Sequence, residues 1–374
     1  MRTSTTVLTV LLIALPAALG AQQNLFPEAS VIGGVEARSY SFGSGFTVDR
    51  IRQVAVPVGV IVPVGKRFSF DLGSSYAVTS VKDAAGASHS FSGLTDTQIR
   101  GSYVFGTDAV VASLMVNLPT GVETTTLSKF GITSAASSNF LLFPVNSYGS
   151  GFSVTPGLAV AATTGSWNLG LAGSLRMSAK YTPFSDDSNF KSYKPGLETR
   201  LRAGADRLLG SSRLSVGFTF STFSNDQFSG ATGNGVYDPG NRFLVDASLQ
   251  AAAGTGTVTF FAWDYFRTSS SSATSSTGNR ENVLTLGSSG NFPLGDKVSL
   301  EPLAEARIWS PKTGSGLLVG GGTSLRIELS PKIALVPGAR VDFGTIKSAV
   351  ITTTTLKSHS ITSWDLSALL RYAF

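Results

Sequence analysis

The residues that could do chemistry are few and scattered. The chain of 374 residues holds two histidines, His89 and His359, and no cysteine. Both histidines fall in segments that read as loops, and neither has partners at metal-ligand spacing. A Ser–His–acid arrangement with one of them leaves no trace in local sequence, and a solvated loop imidazole is the simpler reading. The missing thiols exclude a disulfide framework, thiolate metal sites and a lipid-modified cysteine. Asn225, Asp226, Asn234 and Asp238 share one loop, but without an EF-hand-like spacing they read as turn residues. The residues therefore point away from an enzyme, with no metal and no cofactor.

What remains is charge placed at alternate positions. In Ser166–Tyr181, Arg176 and Lys180 stand on one face with Asn168 and Ser174, while Trp167, Leu169, Leu171, Leu175, Met177 and Tyr181 stand on the other. Successive strand side chains point to opposite faces, so each such segment has a polar and an apolar side. The same split runs through Arg67–Thr79, Arg213–Thr222, Lys297–Trp309 and the last segment to Phe374. Soluble strands average about 5–6 residues, whereas a tilted membrane strand needs roughly 9–11, and the alternation here persists for the longer span. Aromatics near both ends of an apolar face, such as Trp167 and Tyr181, suit the two membrane–water interfaces.

The elements that carry these faces read as an all-β, antiparallel up-and-down transmembrane barrel. Charged residues make up only 14% of the chain. No apolar run after the N-terminus approaches the roughly 18 residues of a spanning helix. Short connections at Gly65-Lys66, Thr107-Asp108, Thr164-Gly165, Gly254-Thr255, Gly295-Asp296 and Pro331-Lys332 alternate with long polar ones. The long ones are Val81–Gly93, Thr120–Gly149, Thr182–Lys194, Ser224–Asn241, Thr268–Arg280 and Gly344–Ser358. This gives about sixteen strands from Val31 to Phe374, or about fourteen if the weakly alternating Val31–Phe42 is a periplasmic extension. Pro156, Pro302 and Pro337 fall inside these strands and call for bulges or shifted boundaries.

Residues 1–20 read as a cleaved signal peptide, with Arg2, an apolar core over Val7–Leu19 and small residues before Ala21; residues 21–374 form the barrel. The formal charge of +6 is spread over strands instead of runs, which excludes a nucleic-acid footprint.

The tail Leu370-Arg371-Tyr372-Ala373-Phe374 resembles the terminal strand of Gram-negative outer-membrane proteins. That resemblance implies an outer-membrane location and a signal, Tyr372 and Phe374, read by the barrel-assembly machinery. Leu94 to Phe105, followed by Leu118-Pro119-Thr120-Gly121, is similar to a hairpin of transporters grouped with the meta-pathway phenol degradation family. That second resemblance implies uptake of small aromatic or apolar molecules.

With lipid outside, the polar face lines a lumen wide enough for water. Its candidate lining is Arg100, Arg176, Lys180, Glu198, Arg200, Arg202, Arg213, Glu301, Glu305, Arg307, Arg326, Glu328, Arg340 and Asp342. Arg176, Arg200, Arg202 and Arg213 would form a basic wall opposite Glu301 and Glu305, sorting solutes by charge; ordinary paired lumen residues are the alternative. The longest loop carries an apolar knot, Phe140, Leu141, Leu142 and Phe143 with Pro144 and Val145, that requires burial. It is expected to fold into the mouth and narrow the pore, as the third loop does in the general porins this topology resembles, or else to pack on other loops or a neighbouring subunit. The expected function is a channel or transporter for small solutes. The alternatives are a carrier of hydrophobic compounds, with Phe260, Phe266 and Trp309 pointing inward, and an adhesive barrel with partner-binding loops. The expected partners are outer-membrane lipid, the assembly machinery and solutes, with an oligomer open.

Overall fold

A computed structural model describes residues 28–106, 109–231, 233–272, 280–348 and 357–374. The segment read as a signal peptide and the turn at Thr107-Asp108 lie outside the described residues.

Alternating chemistry becomes a closed wall. The first strands are β1 (Ser30–Phe42), β2 (Val48–Val64), β3 (Phe68–Asp83), β4 (Ser88–Leu94), β5 (Thr97–Phe105), β6 (Val110–Leu118), β7 (Ser153–Thr164) and β8 (Trp167–Ser178). Beyond a three-residue β9 (Ser192–Lys194) come β10 (Glu198–Leu209), β11 (Ser212–Phe223), β12 (Asp226–Gly230), β13 (Gly233–Asp238), β14 (Arg242–Ala253) and β15 (Gly256–Arg267). After β16 (Ser271–Ser272), the chain ends with β17 (Glu281–Pro293), β18 (Val298–Pro311), β19 (Gly314–Ser330), β20 (Ile333–Ser348) and β21 (Ser358–Ala373). β9, β12, β13 and β16 form a separate small sheet, β16-β13-β12-β9. The others pair in sequence order, all antiparallel, and β1 closes on β21 from Ser30↔Ala373 to Phe42↔Ile361. Because β4 and β5 both pair with β3, as two halves of one stave, the wall has sixteen staves. The fourteen-strand alternative fails: Val31–Phe42 is the closing strand, and it alternates poorly because inward Arg38, Tyr40 and Phe42 meet a loop instead of water.

The exterior follows the apolar faces. Val56, Leu114, Leu158, Leu171, Leu201, Val245, Val319, Phe343 and Leu366 are all exposed and outward, a belt that water would not tolerate and acyl chains would. Phe220, Phe243 and Phe266 form an outward row with ring centroids 5.1 and 6.1 Å apart, and Arg207 lies over Trp167 near the opposite rim. Tyr181 does not join such a girdle. β8 stops at Ser178, so Tyr181 and Lys180 lie beyond it, with Tyr181 bridged to Tyr193.

Prolines fit without a bulge at the positions named. Around Pro156 the β7–β8 register runs Val154↔Met177 to Gly157↔Ser174; around Pro302, β17–β18 runs Ser289↔Leu303 to Phe292↔Leu300; around Pro337, β19–β20 runs Ser324↔Gly338 to Ile327↔Leu335. The ladder skips two positions on one side of each proline and resumes unshifted, which is what losing one N–H donor requires. Gly65, Gly165, Gly210 and Gly254 turn the chain at the end where β1 begins and β21 ends, with φ of 64, 58, 61 and 61°, conformations that L side chains avoid. The Gly210-Ser211 turn was hidden in sequence by the run Arg207-Leu208-Leu209.

At the other end, two stretches expected as loops are largely sheet. β3 and β4 form a hairpin through most of Val81–Gly93, and β12–β13 fills most of Ser224–Asn241. His89 and His359 accordingly sit on strands. His359 Nδ1 lies 3.1 Å from the Ser44 carbonyl, and its ring packs on Phe46. Asp226 accepts from Tyr193 Oη and from the Gly196 amide, and Asp238 accepts from the Gly240 amide, so these loop carboxylates are tied into turns. No group of three His, Asp or Glu suited to a metal occurs among the described residues.

Candidate functional site

The feature that organises the lumen is the connection between β6 and β7. It holds a single 3-10 turn, Leu127–Lys129, and one short helix, α1 (Phe130–Ala136). An apolar hexad on a polar loop must find cover, and here the cover is the inside of the barrel. Phe140, Leu141 and Phe143 are buried against inward Tyr40, Phe42, Ile51, Leu318, Ile346 and Ile361. Phe140 stacks on Trp309 at 5.5 Å, and its ring fills the space a side chain at Gly316 would need. Burying one such ring is worth about 1.5–3 kcal/mol. Ile132, Val145 and Tyr148 pack on a second inward patch of Ala55, Ala77 and Phe91.

Hydrogen bonds pin the loop backbone where apolar contact alone would let it slide. Arg307 Nη1 donates to the Phe140 carbonyl at 2.5 Å, Tyr40 Oη to that of Leu141 at 2.5 Å, and Arg38 to that of Leu142. Gln53 donates to the Val145 carbonyl and accepts from its amide, both at 2.7 Å. Asn139 Nδ2 reaches Glu281 at 2.8 Å, where Trp309 Nε1 also donates at 2.9 Å. Leu142 adopts φ 50°, a left-handed conformation held by these flanking anchors. The base of the loop is tied by Asp96. Ser74 and Ser75 of β3 oppose three residues, Thr95 to Thr97, and the extra residue turns Asp96 inward. Its carboxylate accepts from Asn117 Nδ2 at 2.8 Å and from the amides of Gly121 and Ser150 at 3.1 and 2.7 Å.

The loop divides the inward charges into two sets. Behind it, Glu305, Arg307, Arg340 and Asp342 form one closed network: Arg307–Glu305 2.5 Å, Arg340–Glu305 3.0 Å, Arg340–Asp342 2.7 Å, with Ser363 on Asp342. Arg38–Asp365 extends it, and the Glu305 and Arg307 side chains are each 3% exposed. These four candidates are thus inward but covered, and Glu305 does not face the basic wall across open space.

Across the lumen the guanidinium groups stay wet, more so than most of the carboxylates they meet. Arg200 remains 46% exposed while bonded to Glu198 at 2.6 Å. Arg202 pairs with Asp246 at 3.0 Å across Gly217, which is side-chain-free where that pair lies, and Arg213 pairs with Asp206 at 3.3 Å. Arg176 bonds Ser150 and Ser153 at the loop base. The register places Arg200, Ser221, Arg242, Arg267 and Glu281 in one row, so Arg242 and Arg267 continue the basic wall. On the wall from β8 to β17, the guanidiniums of Arg176, Arg200, Arg202, Arg213, Arg242 and Arg267 meet only four inward carboxylates: Glu198, Asp206, Asp246 and Glu281.

The remaining candidates lie elsewhere on the inner face. Arg100 pairs with Asp71, Glu301 accepts from Ser324, and Arg326 pairs loosely with Glu328 toward the end where β21 finishes. Phe260 and Phe266 point outward, contrary to the parity reading. Trp263 pairs with inward Asp246 and Thr285, so the inward aromatics of β15 are Phe261, Trp263 and Tyr265. The aromatic-rich run Phe260 to Phe266 carries rings on both faces, and only the neighbours' register decides between them. Trp309 does point inward, under Phe140. Outside the wall, desolvation first and Asp226 second push the Tyr181 hydroxyl up to about 12, and Tyr193 is raised by the same kind of burial and its bond to Asp226. These two tyrosines, at the edge of the small sheet, therefore add no phenolate charge at neutral pH.

Fold and lumen together define a sixteen-stave transmembrane β-barrel of porin-like build, with a loop folded inside. No protein-family model matches the chain, and no curated protein matches it. Among solved structures it is similar to a loop-deletion form of OmpT, an outer membrane protein of Vibrio cholerae, at 9% identity and TM-score 0.44, over 91% of this chain and 98% of that one. It is also similar to a deltaS2 mutant of the TodX monoaromatic hydrocarbon channel, at 9% identity and TM-score 0.48, over 97% and 94%. A third is an anion-selective porin from Comamonas acidovorans, at 12% identity and TM-score 0.41, over 92% and 98%. Likenesses this distant say nothing of solute; the lumen's own residues must.

Proposed function

We propose that the chain is a channel of the Gram-negative outer membrane that passes small solutes between the inward loop and the arginine-bearing wall, with a preference for anions. The unequal cover of the two walls carries this reading. Charges behind the loop are paired and dry, whereas on β8 to β15 the guanidiniums outnumber the carboxylates and stay exposed to the lumen, and a wet cationic lining raises the local anion concentration. The C-terminal Tyr372 and Phe374, outward and at the rim, serve as the mark by which the assembly machinery inserts the barrel.

Replacing Arg200 and Arg202 together by Ala tests the selectivity. The reversal potential under a KCl gradient in a planar bilayer should move toward cation preference, because Glu198 and Asp246 remain. An unmoved reversal potential would remove the basic wall from the account. A second reading, uptake of apolar or aromatic solutes, is favoured by the inward column Phe261, Trp263 and Tyr265. Liposome uptake of a neutral aromatic solute faster than that of an aliphatic one of equal size would support it.

A further inference from the structure

On the exterior, one carboxylate stands where acyl chains should be. Asp246 pairs with Trp263 on the inward face, so Asp264 points outward, beside outward Val245 and Leu284. It lies between Ala262 and Phe266 among the outward positions of β15, one step inside the Phe220–Phe243–Phe266 row. Apart from Asp49 and Asp83 at the tips of β2 and β3, every other carboxylate on a described barrel strand turns inward. No cation pairs with Asp264 among the described residues. Its partner is Asn282, whose Nδ2 donates at 2.6 Å.

A carboxylate on the lipid face of a barrel is costly, and acyl chains offer it no donor. The surface around it offers something else. Asn282 and Ser310 are paired across β17 and β18 and are also outward, so acceptor and donors form one small polar patch. Towards the barrel's middle the outward positions mix small and large side chains: Ala262, Ser288, Ala304 and Ala306 lie beside exposed Phe260 and Leu286. A patch with its own acceptor and its own donors, beside an apolar face of mixed relief, is complementary to itself across a two-fold axis, which is what an isologous contact needs.

We propose that the outward face of β15 to β18 is a contact between two copies of this chain, with Asp264, Asn282 and Ser310 as its polar seam. The chain's lack of cysteine makes the test direct. Ser288→Cys should form an intermolecular disulfide on oxidation in native membranes, while Leu114→Cys on the exposed exterior of β6 should not. Mass measurement of the purified wild type in detergent should give paired chains, and Asp264→Leu should lose them. Absence of the Ser288 crosslink in membranes would overturn the proposal. So would an unchanged copy number in Asp264→Leu with a raised unfolding temperature, since the carboxylate would then merely face lipid at a cost. A single-copy wild type that retains lipid phosphate, lost in Asp264→Leu, would also overturn it and assign the patch to a lipid headgroup.

Discussion

Deleting Phe140 to Val145 should raise the single-channel conductance by roughly twofold, because a segment about 10 Å across leaves the bore of a sixteen-stave barrel. The hexad reaches the wall through Arg38, Tyr40, Gln53 and Arg307, so its removal takes both the obstruction and its anchors. Asp96 still ties the loop's base, which keeps the shortened connection from collapsing into the lumen. Selectivity should weaken in the same recording, since solutes could then pass farther from Arg200 and Arg202. A deletion variant that folds and conducts as the wild type does would mean that the loop lies off the solute path.

The second large effect concerns the dry network. Glu305→Ala leaves Arg307 buried without its carboxylate and removes one of two acceptors from Arg340. Stripping one partner from a buried pair costs about 3–5 kcal/mol, because the remaining charge is neither hydrated nor matched. The unfolding transition should fall markedly, and conductance noise should grow as Arg307 loses its hold on Phe140. Glu301→Ala on the same strand is the comparison. Its carboxylate is only part-buried and accepts one weak hydroxyl bond at 3.3 Å, so less than about 0.5 kcal/mol is expected. Equal unfolding midpoints for the two variants would contradict the burial described for Glu305.

Much of this was legible in the chain because period-two alternation over membrane-length strands leaves little freedom. Alternation led to about sixteen strands and to the inward arginines, and an apolar run on an otherwise polar loop announced the knot that needed cover. What stayed hidden depended on register and on distant partners. Phe260 and Phe266 were misassigned because a strand with rings on both faces has no internal evidence of which side is lipid. Asp96 owes its role to one extra residue opposite Ser74 and Ser75, which no local pattern announces. Glu305 and Arg307 look like any lumen pair in sequence. They are dry because a loop 167 residues earlier lies on them, as the Arg307 to Phe140 bond records. Lys180 lies two residues past the end of its strand at Ser178, where the chain leaves the wall for the small outer sheet, and an alternation that runs on to Tyr181 hides that end.

The loop's position can be read by thiol accessibility from water. Leu318 is inward but 2% exposed beneath the loop, whereas Thr219 is inward on the open wall beside Arg202. With a cysteine at position 219, a small charged thiol reagent should react quickly and step the current down. With a cysteine at position 318, it should react only after Phe140 to Val145 are deleted. A cysteine at 318 that reacts as fast as the one at 219 with the loop intact would contradict a loop folded against that wall.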